Sequence, residues 1–213
     1  LATGNAVLLK PHKTAIMSSG FVFARVLEEA GFPDGLFHCI PAEGKDAEAF
    51  ETDPNISMVH FTGSSATGAK VAEAASRTLK KVSISGSGKN PFIVLDDIED
   101  FDAMISATLY ASFYFSGQVC MAAGRHLIHR SLHDRYLSAL VAAAKTLVVD
   151  DPWKNPLASY GPMTLPGAVD RMDAIVTDAV SKGATLHLGG KKNGPFYPPT
   201  ILSGVKPGMR AWE

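Results

Sequence analysis

The 213 residues carry 20 Lys and Arg against 21 Asp and Glu, a formal net charge of -1, and 46% of them are hydrophobic. That balance offers no basic surface for nucleic acid and supplies enough apolar side chains for one large domain or two small ones. No apolar run reaches the roughly 18 residues of a membrane span, and no charged-then-apolar leader opens the chain. The two cysteines, Cys39 and Cys120, have neither metal-type nor disulfide-type spacing, which fits a reducing, cytoplasmic setting.

Taken in order, Asn5 to Leu9 is an apolar run that stops at Lys10-Pro11, because a proline cannot donate to a strand ladder. Ser18 or Ser19 is placed to cap a helix running to Ala30, with Phe21, Val22 and Val26 on an apolar stripe beside Arg25 and Glu29. Gly31-Phe32-Pro33-Asp34-Gly35 turns the chain into a strand at Leu36 to Ile40, and Ala47 to Thr52 is a short helical piece. Ser57 to Phe61 is a third strand, Ala66 to Thr78 a helix and Lys81 to Ile84 a fourth strand. This alternation predicts parallel strands joined by crossover helices.

Ser85-Gly86-Ser87-Gly88-Lys89 then interrupts the alternation as a hinge or domain boundary. It suggests one domain over residues 1–86 and another over 87–213. Pro91 to Leu95 is the next strand. Acidic residues at Asp96-Asp97 and Glu99-Asp100 lead into a helix reaching Phe115, where acids of this kind serve as caps and dipole partners. Arg125 to His129 is a strand and His133 to Leu147 an amphipathic helix. Pro166 to Lys182 is another helix, Thr185 to Leu188 a strand, and the last apolar stretch is Tyr197 to Leu202. The seven histidines show no metal spacing better than His129 and His133, which straddle a strand-to-helix boundary and make a poor pair of ligands. The chain begins without a methionine and stops without a terminating signal, so it reads as a piece or truncation product of something longer.

Two stretches carry chemistry. In Phe115-Ser116-Gly117-Gln118-Val119-Cys120-Met121-Ala122-Ala123-Gly124-Arg125 a lone cysteine sits in a small-residue loop, with Gly117 and Gly124 to supply unusual dihedrals and close backbone approach. A free cysteine is also, and often, a small buried hydrophobe. In His60-Phe61-Thr62-Gly63-Ser64-Ser65-Ala66-Thr67-Gly68 a strand runs into a helix whose N-terminus presents free N–H groups and a positive dipole end, a place for a phosphate. Such a turn is equally compatible with a plain N-cap at Ser64.

Gly-Gln-Val-Cys followed by Gly-Arg resembles the nucleophile loop of the aldehyde dehydrogenase superfamily, and Cys-Met-Ala-Ala-Gly-Arg-His-Leu looks most like its benzaldehyde and vanillin dehydrogenase branch. Phe-Thr-Gly-Ser with a further glycine is similar to the superfamily's pyrophosphate loop, and Gly4-Asn5-Ala6-Val7-Leu8-Leu9-Lys10-Pro11 to the strand whose lysine meets the adenosine ribose. The resemblance spans the whole chain. It implies an α/β fold, a partial Rossmann-like parallel-sheet cofactor domain followed by an α/β catalytic domain. It also implies Cys120 as nucleophile, with Lys10, Gly63, Ser64 and Gly68 as contacts for NAD or NADP. The expected reaction is oxidation of an aldehyde, in this branch aromatic, to the acid.

His12-Lys13 stand where relatives carry a ribose-binding glutamate, which leaves NAD and NADP both open. Ser85 begins the stretch that in relatives reads Glu-Leu-Gly-Gly-Lys and supplies the general base. Serine has no useful proton affinity near neutral pH, and loss of a general base costs ~10²- to 10⁴-fold. The segment bearing the substrate-orienting asparagine is also missing, and the glutamate motif that holds the nicotinamide ribose would begin just past Glu213. The expectation is weakened turnover, or a degraded relative that serves as an assembly module or keeps only Cys120-dependent ester hydrolysis. Uncovered sheet edges and helix faces further suggest a homo-oligomer. Nucleic-acid and membrane partners are not expected.

Overall fold

The computed structural model describes residues 1–213, which divide into two compact units, Leu1–Ser87 and Gly88–Glu213. The first holds two parallel strand pairs. Strand β1 (Val7–Leu9) pairs with β2 (Phe37–Cys39), and β3 (Met58–Thr62) with β4 (Lys81–Ser85), each pair bridged by a helical crossover. Parallel strands cannot be joined by a tight hairpin, so the alternation seen in the sequence is what such pairing requires. α1 (Val22–Glu29) follows a π-type segment at Ile16–Phe21, α2 is the short Glu48–Thr52, and α3 is Ser65–Ser76.

The first helical stretch starts earlier than Ser18 or Ser19, and neither serine caps it: Ala15 occupies the cap position with no side-chain bond. Ser19 instead donates its hydroxyl to the Ala15 carbonyl at 2.7 Å, the back-bonding to the preceding turn that competes with capping. Both crossover helices approach their strands through a glycine. A Cβ at Gly20 would lie 2.6 Å from Cys39 Sγ, and one at Gly68 2.7 Å from the Ile84 Cγ2 methyl. Val71, Ala74 and Ala75 extend the buried face of α3. α1 has the predicted amphipathic stripe but no fully buried residue. Phe21, Val22, Phe23 and Val26 remain exposed, and Arg25 pairs with Glu28 and Glu29 along the polar side.

In the second unit β5 (Asn90–Val94) pairs in parallel with β6 (Ala123–Ile128), and β7 (Thr185–Leu188) pairs antiparallel with β8 (Ile201–Ser203). Between them lie α4 (Phe101–Phe113), α5 (His133–Ala144) and α6 (Ala168–Ser181). Asp100 caps α4, its carboxylate accepting from the Ala103 N–H at 2.9 Å, so one member of the acidic run has the structural role its position suggested. The main core joins Val94, Ile105, Tyr136, Leu140, Ala144 and Ile201. A second cluster gathers Ala179, Ala184, Met209 and Ala211. α4 stops at Phe113, short of the predicted Phe115, because Phe115 (φ 53°, ψ 40°) and Ser116 (φ 59°, ψ 27°) adopt left-handed backbone. No helix is long and apolar enough to cross a membrane.

Candidate active site

The loop that carries Cys120 begins with a reversal. Phe115, Ser116 and Gly117 (φ 67°) are three successive left-handed residues, and for the two that carry a Cβ this costs of order 1–3 kcal/mol each, strain that persists only where neighbours over-determine it. Those neighbours are present. Ser116 Oγ donates to the Gly161 carbonyl at 2.9 Å. Gln118 Oε1 accepts from both the backbone N–H and the hydroxyl of Thr164, at 2.9 and 3.2 Å. The Ala122 N–H then closes a turn onto the Val119 carbonyl at 3.0 Å, which leaves Cys120 at the tip with an exposed thiol. The alternative of a small buried hydrophobe does not describe this cysteine. Of the two flanking glycines only Gly117 has positive φ. Gly124 lies within β6, where a Cβ would press to 3.2 Å against the stem of Lys89, so its contribution is close approach.

Behind the loop lies a polar network. The one proton of Ser112 Oγ goes to the Thr108 carbonyl at 2.7 Å. Ser112 Oγ, 3.0 Å from His126 Nε2, is therefore the acceptor there, as is the Ala123 carbonyl at 3.2 Å. Nε2 of His126 thus carries the hydrogen and Nδ1 accepts from the Tyr136 phenol at 2.9 Å. This fixes one tautomer by elimination. Burial pushes the His126 pKa below its ordinary 6.5, only partly opposed by the bond to Ala123, and burial raises that of Tyr136.

A histidine with a depressed folded pKa binds fewer protons than its unfolded counterpart, so its contribution to stability is complete above pH 6.5 and is lost as pH falls from there toward the folded value. Urea unfolding at about pH 5 and about pH 8 is expected to show a wild-type stability deficit at the lower pH that shrinks in His126→Asn. An equal deficit in both proteins would contradict this assignment.

Lys89, beside the loop, is half-buried and donates to the Ala211 carbonyl. Burial, and then the Arg125 guanidinium, lower its pKa. Arg125 in turn lies over the Trp212 ring, 4.6 Å from its centre. A cavity of about 820 Å³ in this unit has Ser116, Gly117, His126, Tyr136, Met163 and Tyr197 among its walls. Cys120 is not in that wall. Its exposed thiol is instead open to an incoming electrophile.

In the first unit Gly63, Ser64 and Gly68 share the β3–α3 turn. Ser64 caps α3, its Oγ accepting from the Thr67 N–H at 3.2 Å, while the Gly63 N–H is taken by the Ser85 carbonyl at 3.1 Å. The N–H groups of Ser65 and Ala66 have no backbone acceptor, which leaves two donors at the positive end of a twelve-residue helix, an arrangement that suits phosphate oxygens. Gly68 is buried against Ile84 and sets the helix close to β4. Lys10 follows β1 in the other strand pair, its ammonium 3.4 Å from the Pro11 carbonyl. Ser85 is half-buried at the end of β4, opposite Thr62. His129 and His133 turn to Ser131 and Asp134 respectively, and no group of three or more His, Cys, Asp or Glu is placed to hold a metal.

The sequence model of the aldehyde dehydrogenase family matches residues 1–213. The chain belongs to the aldehyde dehydrogenase family. It is 38% identical over 213 residues to a vanillin dehydrogenase of Amycolatopsis sp. and 38% identical over 213 residues to a benzaldehyde dehydrogenase [NAD(+)] of Pseudomonas putida. Each match covers 100% of this chain and 43% of the relative. Among solved structures it resembles lactaldehyde dehydrogenase from Escherichia coli, with a TM-score of 0.92 and 30% identity over 98% of this chain and 44% of the other. The chain thus spans less than half the length of the aldehyde dehydrogenases it matches.

Within this aldehyde dehydrogenase chain the residue that sequence reasoning missed is Asn90. Its side-chain amide donates to the Cys120 carbonyl at 2.7 Å and to the Ala122 carbonyl at 3.1 Å. The Lys-Asn-Pro step that opens β5 was the available signal: an amide side chain at a strand start, just ahead of a proline without an N–H of its own.

Proposed function

We propose that the protein this sequence represents oxidises an aldehyde, aromatic by the branch it resembles, to the carboxylic acid with NAD or NADP. The observation that carries the reading is the exposed Cys120 thiol at the tip of an anchored, strained turn. Cys120 as thiolate attacks the aldehyde carbon, forming a C–S bond and a thiohemiacetal whose oxyanion accepts a hydrogen bond from the Cys120 backbone N–H. A nicotinamide cofactor bound in the first unit would supply the hydride acceptor by which this adduct becomes a thioester. Water then releases the acid from Cys120. In the first unit the Ser65 and Ala66 N–H groups at the Gly63-Ser64 turn would receive phosphate oxygens, with Gly68 setting α3 close to β4, and Lys10 would meet the adenosine ribose. The Pseudomonas putida relative is a benzaldehyde dehydrogenase [NAD(+)], whereas His12 and Lys13 suit a 2'-phosphate, so the preference is an experimental question.

The specific observation that favours a second reading is Ser85 at the general-base position of the family motif. On that reading acyl transfer at Cys120 survives as slow ester hydrolysis, or the chain acts as an assembly module. The exposed apolar residues of α1 support a homo-oligomer in either case.

The test is reduced-cofactor formation with benzaldehyde and with a short aliphatic aldehyde, using NAD and NADP separately. The first reading expects reduction with the aromatic substrate ahead of the aliphatic one. No reduction by folded protein, with hydrolysis of an activated ester retained, selects the second.

A further inference from the structure

The Asn90 amide grips the backbone on both sides of Met121. Both partners, the carbonyls of Cys120 and Ala122, are pure acceptors, so the atom 2.7 and 3.1 Å from them is the nitrogen and each of its hydrogens has a carbonyl. Asn90 is itself fixed at the first residue of β5, paired in register with Ala123, the first residue of β6. The strand paired with β6, which receives the chain after the nucleophile, therefore carries the group that grips the turn leading into it. The other anchors, Ser116 to Gly161 and Gln118 to Thr164, hold only the entry side of the loop. Met121 between the two gripped carbonyls is strongly exposed and supplies no packing. Without Asn90 the two carbonyls would turn freely toward water, and the backbone dihedrals at Cys120, which set the direction of the preceding Val119–Cys120 peptide and its N–H, would be held only by the Ala122 N–H on the Val119 carbonyl.

We infer that Asn90 is a positioning residue for the nucleophile: its two N–H groups lock the Cys120–Ala122 turn so that the Cys120 backbone N–H points where the oxyanion of the adduct forms. This rests on Cys120 being the nucleophile. Alkylation by iodoacetamide, which builds no oxyanion, needs only the thiolate; acylation by p-nitrophenyl acetate builds one and needs the oriented N–H as well. The donor role separates from mere volume because Asn90→Asp keeps the shape and replaces both N–H groups by acceptors facing acceptors.

The experiment compares wild type, Asn90→Asp and Asn90→Ala for the pre-steady-state acylation rate, for KM, for the alkylation rate of Cys120 against Cys39 as internal reference, and for amide hydrogen exchange of residues 119–122. Acylation is expected to fall about tenfold or more in both variants, the effect of losing one or two hydrogen bonds, with KM and alkylation within about twofold and exchange at 119–122 accelerated. Asn90→Ser, which keeps one donor, is expected to recover part of the rate and stands in should Asn90→Asp fold poorly. Wild-type acylation in Asn90→Asp, or unchanged exchange at 119–122, overturns the inference. If wild type itself is not acylated, the nucleophile reading has failed, and the exchange of 119–122 alone decides whether the amide locks the turn.

Discussion

Cys120→Ala is expected to remove cofactor reduction and ester acylation together, by on the order of 10³-fold or more, while leaving the fold intact. The thiol is exposed at the loop tip and takes part in no hydrogen bond through sulfur. The bonds that hold the loop come from Asn90, Ser116 and Gln118, and involve Cys120 only through its carbonyl. Deleting one exposed sulfur should therefore change stability by no more than about 0.5 kcal/mol. Cys39→Ala is the matched control: Cys39 lies in β2 against Gly20, away from the loop in sequence and in a different unit. Activity retained in Cys120→Ala, measured with a thermal melt that shows a native-like transition, would remove this cysteine from the chemistry.

Ser85→Glu carries the second large effect. Acyl-enzyme hydrolysis needs a group that takes a proton from water, and serine near neutral pH does not. Restoring the carboxylate that the family motif places there is expected to raise the deacylation rate by ~10²- to 10⁴-fold, the range a positioned general base supplies. The backbone at this position is already used, since the Ser85 carbonyl accepts from Gly63 N–H and the residue pairs with Thr62, so the substitution changes the side chain without asking the strand to move. Single-turnover decay of the acyl-enzyme reads this step directly. An unchanged decay rate would mean that another group already serves as base.

The legible and the hidden parts of this chain divide along a physical line. β1 to β4 and α3 were readable because parallel βαβ units impose alternation of short apolar runs with helical periods, and that signal is local. The start of the first helix was misplaced because serine offers its hydroxyl equally to a cap and to the preceding turn, and Ser19 took the second course. The end of α4 was misplaced because left-handed φ at Phe115 and Ser116 runs against their own preferences and is enforced from a distance by Gly161 and Thr164. Cys120 and the Gly63-Ser64 turn are singled out by resemblance, since neither a lone cysteine nor a glycine turn identifies chemistry alone. Asn90 was not found, because its partners lie 30 and 32 residues away in sequence and no periodicity records a side-chain clamp on a loop. The His126 network was hidden for the same reason: its tautomer follows from Ser112 and Tyr136 on two separate helices.

Cys120 is expected to form a covalent bond to the substrate carbonyl carbon. Peptide-resolved mass spectrometry after brief exposure of the folded chain to p-nitrophenyl acetate tests it most directly. An acetyl group on the Cys120 peptide, absent from Cys39 and lost on further incubation, is the predicted result. An unmodified Cys120 peptide in folded protein, or acetyl found on Cys39 in its place, would contradict the account.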